Sequence, residues 1–522
     1  MHSVTALLAA AIALLFAYFL FRSPTLKRNG KPLRQSLGRL PFIGNGLIFL
    51  QPRKKLFAWF VKCERQFGFE TFQISVPTLP PGVVINDPKN LEYALKNEGI
   101  FSKGDFVKSR SWDLFGKSFW DSFYRNGIIN ADGELWRVQR KAGVNFLSNA
   151  NLKILTEAAL PTYLKETISI LETPQPNDVV DLSAIFHELT TQLFGRMAYN
   201  MEMHHSDAFT EAFDYASGAT TERFQNPLWK VTELFFGRKL RKSIAQVKAF
   251  GSEIVAKAVW AKQSKQPVSN VNTKSGFANT VEGISGSLIH SLLDTIDDHS
   301  VVADAALNYL TAGRDTTAQA LTWLFYCLMK HPDVTKAIRT EVDNVAKAAL
   351  SVEDAFLDLH RIDTALFQAS KLPYTMAAFY EALRLYPPIP FEFRQCMKAT
   401  TLPDGTFLPK DTVLLWCTWA MNRSRQTWGK NADEFRPERW FDDGNLITKT
   451  AFEFPVFNGG PRICLGKKMA ESVAVQVIAA FVLHFDFKAL DNNEKFSKNS
   501  LTLPMEGGLP CNVKIRNHNT GR

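Results

Sequence analysis

Cysteine is scarce in this chain. Six residues (Cys63, Cys327, Cys396, Cys417, Cys464 and Cys511) are spread over 522 positions with no short paired spacing. That argues against a disulfide framework and for free thiols in a reducing compartment. Histidine is equally thin: of ten, only His204-His205 cluster, and adjacency lacks the i, i+4 spacing of a helical zinc site, leaving a solvated surface pair. Acidic residues are absent from Arg22 to Lys55, where nine basic ones stand. Setting those nine aside takes the net charge of +10 to about +1, so the excess is local and no nucleic-acid face is implied. No mid-chain linker separates two cores, and no Gly-rich nucleotide fingerprint or flavin-type segment follows residue 466. One large domain is expected.

What is present begins with Val4–Phe21, eighteen residues that are apolar except for Thr5. As a helix they span ~27 Å, marginally enough for a bilayer core. A cleavable signal peptide is the competing reading, but no small-x-small site follows and no Lys or Arg precedes the run. The basic cluster after it places the C-terminal side in the cytosol. The expected organisation is therefore a transmembrane signal anchor (1–21), a basic juxtamembrane linker and hinge (22–55), and one catalytic domain (56–522).

One cysteine has surroundings suited to a thiolate. Cys464 sits in Phe457-Asn458-Gly459-Gly460-Pro461-Arg462-Ile463-Cys464-Leu465-Gly466, ahead of an amphipathic helix expected over Lys467–His484. Amides and positive dipole at that helix start would lower its pKa. Gly460 and Gly466 would let the backbone approach something flat and bulky, and Arg462 offers a donor fork for a carboxylate. A buried structural cysteine is the bland alternative. A phosphate loop fails, because five residues separate the glycines and Lys468 stands where Ser or Thr must hold magnesium.

Phe457-x-x-Gly460-x-Arg462-x-Cys464-x-Gly466 resembles the haem-binding loop of the cytochrome P-450 family at every position. The resemblance implies a mainly α fold with small β-sheets, haem b held by Cys464 between that loop and a long central helix, and haem-thiolate monooxygenase chemistry. A thiolate ligand favours O–O cleavage. Further motifs follow in the family's order. Trp136 and Arg140 share one helical face and resemble the helix that reaches a haem propionate. Ala312-Gly313-Arg314-Asp315-Thr316-Thr317 lies in a helix expected over Val301–Lys330, where the Thr316 hydroxyl can bond back to the Ala312 carbonyl and Gly313 leaves room for a groove. It resembles the oxygen-activation motif, with Asp315 and Thr316 relaying protons. Glu381 and Arg384, at i, i+3, resemble a buried set completed by Arg439, with Trp440 where phenylalanine is more usual. Arg394 matches another propionate-binding arginine. Leu40-Pro41-Phe42-Ile43-Gly44-Asn45 resembles the hinge, though Pro-Pro-Gly-Pro is missing.

Phe106–Tyr124 is rich in aromatics; ordinary core packing explains them, and the resemblance implies a substrate-binding loop with Phe115, Phe119 and Phe123. Ile389 and Met505, the latter in a C-terminal hairpin, are further substrate candidates. The implied partners are NADPH-cytochrome P-450 reductase, with cytochrome b5 as a second donor, O2, an apolar substrate and the endoplasmic reticulum membrane, spanned once. Lys467 and Lys468 would face the reductase, or be a solvated pair. The motif strings are similar to the plant and yeast branch that hydroxylates fatty acids and alkanes. Tailoring of a polyketide or terpenoid, a hydroperoxide isomerase or dehydratase, and a non-catalytic haem-dependent lipid binder remain as alternatives.

Overall fold

The helix His299–Lys330 has apolar residues on every side, with Asp304, Asn308, Arg314, Asp315 and Gln319 set among them, and in a computed structural model of the protein nearly all of Val301–Leu328 is buried. A helix without a polar face can only sit inside other elements. It starts two residues earlier than expected because Asp298 caps it, accepting from the Ser300 amide at 2.9 Å. Around it pack Leu182–Phe194, Arg238–Gln263 and Pro373–Leu385. The structure describes residues 24–76, 79–115, 127–173, 179–226, 228–264, 286–349 and 362–516. The expected anchor, Val4–Phe21, lies outside them. Among the described residues no helix is long and apolar enough to cross a membrane.

Between Thr71 and Ile85 the chain forms the strands Phe72–Ile74 and Gly82–Val84, in a five-stranded sheet with Val413–Cys417, Phe391–Cys396 and Phe101–Ser102. Val413–Cys417 runs parallel to Gly82–Val84 and antiparallel to Phe391–Cys396. All five of its residues are buried, as expected of a strand covered on both faces. A smaller sheet joins Phe485–Ala489, Pro510–Ile515 and Val179–Asp181. The result is mainly helical with small sheets.

Residues 24–55, within the stretch expected as linker and hinge, pack against the rest of the chain. Lys27–Arg28 and Lys31–Pro32 form a hairpin pairing with Thr406–Leu408, and Leu26 and Leu33 are buried in the sheet core. Arg28 and Arg34 both reach Glu70, at 2.7 and 3.2 Å. Arg53 is buried at the start of helix Arg53–Phe67. The basic residues from Lys27 on thus belong to the folded domain, several with structural partners. Leu40 and Gly44 exchange backbone hydrogen bonds at 2.9 Å, closing Leu40–Gly44 into a tight turn.

Candidate functional site

The cysteine loop is built by its own backbone. The Cys464 amide donates to the Phe457 carbonyl at 2.7 Å, which fixes their spacing. Gly460 has φ of +61°, and a Cβ there would lie 2.4 Å from the Leu95 carbonyl oxygen. Its glycine is therefore required by the turn and by Leu95, not by the cavity, whose wall it does not join. Gly466 does line the cavity: a Cβ there would meet nothing within 4 Å except the Cys464 sulfur at 3.9 Å. Helix Lys467–His484 follows with the expected bounds.

Cys464 is the one exposed cysteine of the six. Its surface opens into a cavity of about 450 Å³. Burial pushes its thiol above the usual value, against the hydrogen bonds from the amides of Gly466 and Lys467 and the charge of Arg140. The expected pull of the helix start is present, but in the protein alone desolvation outweighs it.

The central helix lines the same cavity with Ala312, Gly313, Thr316 and Thr317. The Thr316 hydroxyl donates to the Ala312 carbonyl at 2.7 Å. Asp315 does not line the cavity; it is buried against Arg314, 2.6 Å away, which also donates to Thr210 at 2.8 Å. The room expected at Gly313 is taken on one side by Phe194, whose ring would lie 2.2 Å from an added Cβ.

Trp136, Arg140, Arg394 and Arg462 all border the same cavity. Arg462 lies over the Trp136 ring at 4.1 Å and bonds Glu98, Asp132 and the Ala131 carbonyl. Arg140 donates to the Ile463 carbonyl at 3.0 Å and meets no carboxylate among the described residues. Arg394 pairs with Glu392 at 3.1 Å. The charged cavity residues not foreseen include Lys103 and Glu392. Lys103 pairs with Glu392 at 3.2 Å, and burial, aided by Arg394, depresses its amine to about 8. Burial alone would raise the Glu392 carboxyl, but the charges of Lys103 and Arg394 hold it low. Glu392 was findable, since residues two apart on a strand share a face with Arg394; nothing local marks Lys103.

Glu381, Arg384 and Arg439 come together as one buried set. Arg384 grips both Glu381 oxygens at 2.8 Å, and Arg439 Nε adds a third bond at 2.8 Å. Of the proposed substrate contacts, Ile389 lines the cavity. Met505 does not: it is buried in the main core, and Ser500, Leu501 and Thr502 reach the cavity instead. Phe119 and Phe123, and the side chain of Phe115, lie outside the described residues.

A cysteine sulfur, a stretch of the central helix and several cations lining one cavity fit a flat, dianionic macrocycle. The cytochrome P450 family model matches residues 35–511. The chain is a cytochrome P450. It is similar to cytochrome P450 86B1 of Arabidopsis thaliana, 30% identical over 93% of this chain and 86% of that protein. It is 27% identical to cytochrome P450 94A1 of Vicia sativa, over 91% of this chain and 90% of the other. A cytochrome P450 monooxygenase cyp1 of Mycosarcoma maydis is 29% identical over 91% of this chain and 74% of its own length. As a member of this family the protein is a haem-thiolate monooxygenase, its iron protoporphyrin IX bound through a cysteine thiolate.

Proposed function

We propose that this P450 hydroxylates a long-chain fatty acid or comparable apolar lipid, RH + O2 + two electrons + two protons giving ROH + water. The observation carrying this is one cavity that joins the Cys464 sulfur and Thr316 to a largely apolar wall including Leu56, Phe60, Phe213, Ile389, Phe391 and Phe393. Haem iron, when bound, supplies oxygen activation. The chain's part is to hold and orient. Cys464 is the sulfur ligand, and Arg140, Arg462, Arg394 and Trp136 hold the propionates, with Phe457, Gly466, Ala312 and Gly313 against the macrocycle. Apolar side chains exclude water and align the substrate. Thr316 Oγ1 and the Asp315 carboxyl pass protons inward. The strings Ala312–Trp323 and Phe457–Gly466 resemble the fatty-acid and alkane branch, which supports the substrate class.

Electrons come from NADPH-cytochrome P-450 reductase or cytochrome b5. Exposed Lys468 and half-exposed Lys467, beside the cysteine loop, support an acidic partner there. Attachment to the endoplasmic reticulum membrane, with this domain cytosolic, draws on the apolar run Val4–Phe21 and on helix Trp229–Phe236, where Leu234, Phe235 and Phe236 stand exposed.

The test is purified holoenzyme with reductase, NADPH, ¹⁸O2 and a panel of fatty acids and alkanes, read by mass. One labelled oxygen per product is expected. Product only from a polyketide or terpenoid would overturn the substrate class. Hydroperoxide conversion without reductase, or spectral binding without turnover, would overturn the reaction.

A further inference from the structure

One cation of the cavity wall is left without a role by this reading. Arg53 opens helix Arg53–Phe67 and is 6% exposed, yet it borders the cavity. Its Nη1 and Nη2 donate to the carbonyls of Ser500 and Thr502, the latter at 3.0 Å. Its Nε has no partner, and no carboxylate pairs with it among the described residues. The Phe57 and Phe391 rings lie 5.2 and 6.0 Å from the guanidinium carbon. Burial lowers its pKa to about 10, only partly offset by Cys417, and the positive end of its own helix disfavours a cation further.

The other cavity cations are accounted for differently. Lys103 and Arg394 share Glu392, Arg462 holds Glu98 and Asp132, and Arg140 bonds the cysteine loop. A buried, uncompensated guanidinium in an apolar wall costs stability unless an anion reaches it. Within this protein Arg384 shows the geometry available: Nε and Nη2 on the two oxygens of one carboxylate, both at 2.8 Å.

We infer that Arg53 is the carboxylate anchor of the substrate site, gripping the acid end of an amphiphile whose chain extends towards Thr316. This rests on the lipid reading above and narrows it to free acids over esters, alkanes and amines. Oxidation would then fall at a position set by chain length measured from the anchor.

The experiment is substrate-induced Soret titration of the ferric holoenzyme with dodecanoic acid, methyl dodecanoate and dodecyltrimethylammonium. Wild type should bind acid more tightly than ester, and the ammonium least. Arg53→Met should cut the acid-over-ester preference by roughly ten- to a hundredfold, as expected for a lost charge-assisted hydrogen bond, with Arg53→Lys between. Equal weakening of acid and ester would assign Arg53 to holding the Ser500–Thr502 carbonyls and overturn the inference. Should Arg53→Met fail to take up haem, the wild-type order decides, and an ammonium bound as tightly as the acid overturns it. Acid hydroxylation indifferent to Arg53 rejects this anchor alone. An Arg53-dependent acid preference with no oxygenated product rejects the reaction and keeps the anchor.

Discussion

The indole N–H of Trp440 donates to Glu381 Oε2 at 3.0 Å, in the position where a phenylalanine would have nothing to give. Glu381 is 0% exposed, so each oxygen must find its donors within the protein. Oε1 receives Arg384, Arg439 and the Arg436 amide, while Oε2 receives Arg384 and Trp440. Trp440→Phe should keep the ring packing against Tyr380, Trp428 and Phe454 and lose one bond to a charge. The expected cost is ~1.5–3 kcal/mol, read from denaturant midpoints of the holoenzyme. An unchanged midpoint would show that the bond contributes nothing.

The same carboxylate sets an acid limit. Burial alone would raise its pKa, but the Arg384 bonds and the Arg439 charge hold it below the ordinary 4.5. For a depressed carboxyl, the folded state binds fewer protons than the unfolded one. Its contribution is then complete above about pH 4.5 and disappears as pH falls through the folded value. Glu381→Gln should cost ~3–5 kcal/mol at neutral pH by leaving Arg384 and Arg439 uncompensated. The gap between wild type and variant should narrow on acidification below that value, measured by urea unfolding across pH. A constant gap would place the effect outside the titration of Glu381.

Local chemistry made part of this molecule legible. The i, i+3 and i, i+4 spacings joined Glu381 to Arg384 and put Trp136 and Arg140 at one cavity, because helical geometry fixes those neighbours. The Lys467–His484 helix was bounded by the glycine before it and the apolar pattern within it. Arg53 was invisible for the opposite reason: in sequence it is one basic residue in a run of them, and the Ser500 and Thr502 carbonyls that it bonds are distant in the chain. Lys103 and Glu392, 289 residues apart, meet only through the sheet. Met505 was misplaced because a hairpin's position says little about which of its residues faces inward.

Gly313 offers a test of close packing between helices. An alanine there would place Cβ 2.2–2.3 Å from the Phe194 ring, a separation that forces the ring or the helix to move. Gly313→Ala should therefore destabilise the holoenzyme by ~1–3 kcal/mol. Phe194→Ala on its own opens a cavity, costing ~3–5 kcal/mol. Because the two sites touch, the double variant should cost less than the sum, and a thermal-unfolding cycle reads that coupling. Strict additivity would mean that Phe194 is not what Gly313 accommodates.

Cys464→Ala should abolish the red-shifted Soret band of the reduced carbon monoxide complex, since no other cysteine is exposed to the cavity. The remaining five are buried, and none borders it. Retention of that band would remove Cys464 as the ligand.

Proton delivery is testable on Asp315 and Thr316 separately, because their surroundings differ. Thr316 already sits on the cavity wall with its proton given to the Ala312 carbonyl, so its oxygen is free to accept from the cavity side. Asp315 is turned away, locked to Arg314 inside the protein. For Asp315 to pass a proton inward its pair with Arg314 must open, and that opening should limit the transfer. Asp315→Asn should retain the thiolate spectrum and substrate binding but lower turnover by ~10²–10⁴, the range for loss of a positioned proton donor. Its solvent deuterium isotope effect should exceed that of wild type. Thr316→Ala should continue to consume NADPH while releasing more hydrogen peroxide per product, and Thr316→Ser should recover most of the coupling because it restores the hydroxyl. Should Asp315→Asn turn over at the wild-type rate with an unchanged isotope effect, the proton must reach Thr316 by a path that avoids the Arg314–Asp315 pair.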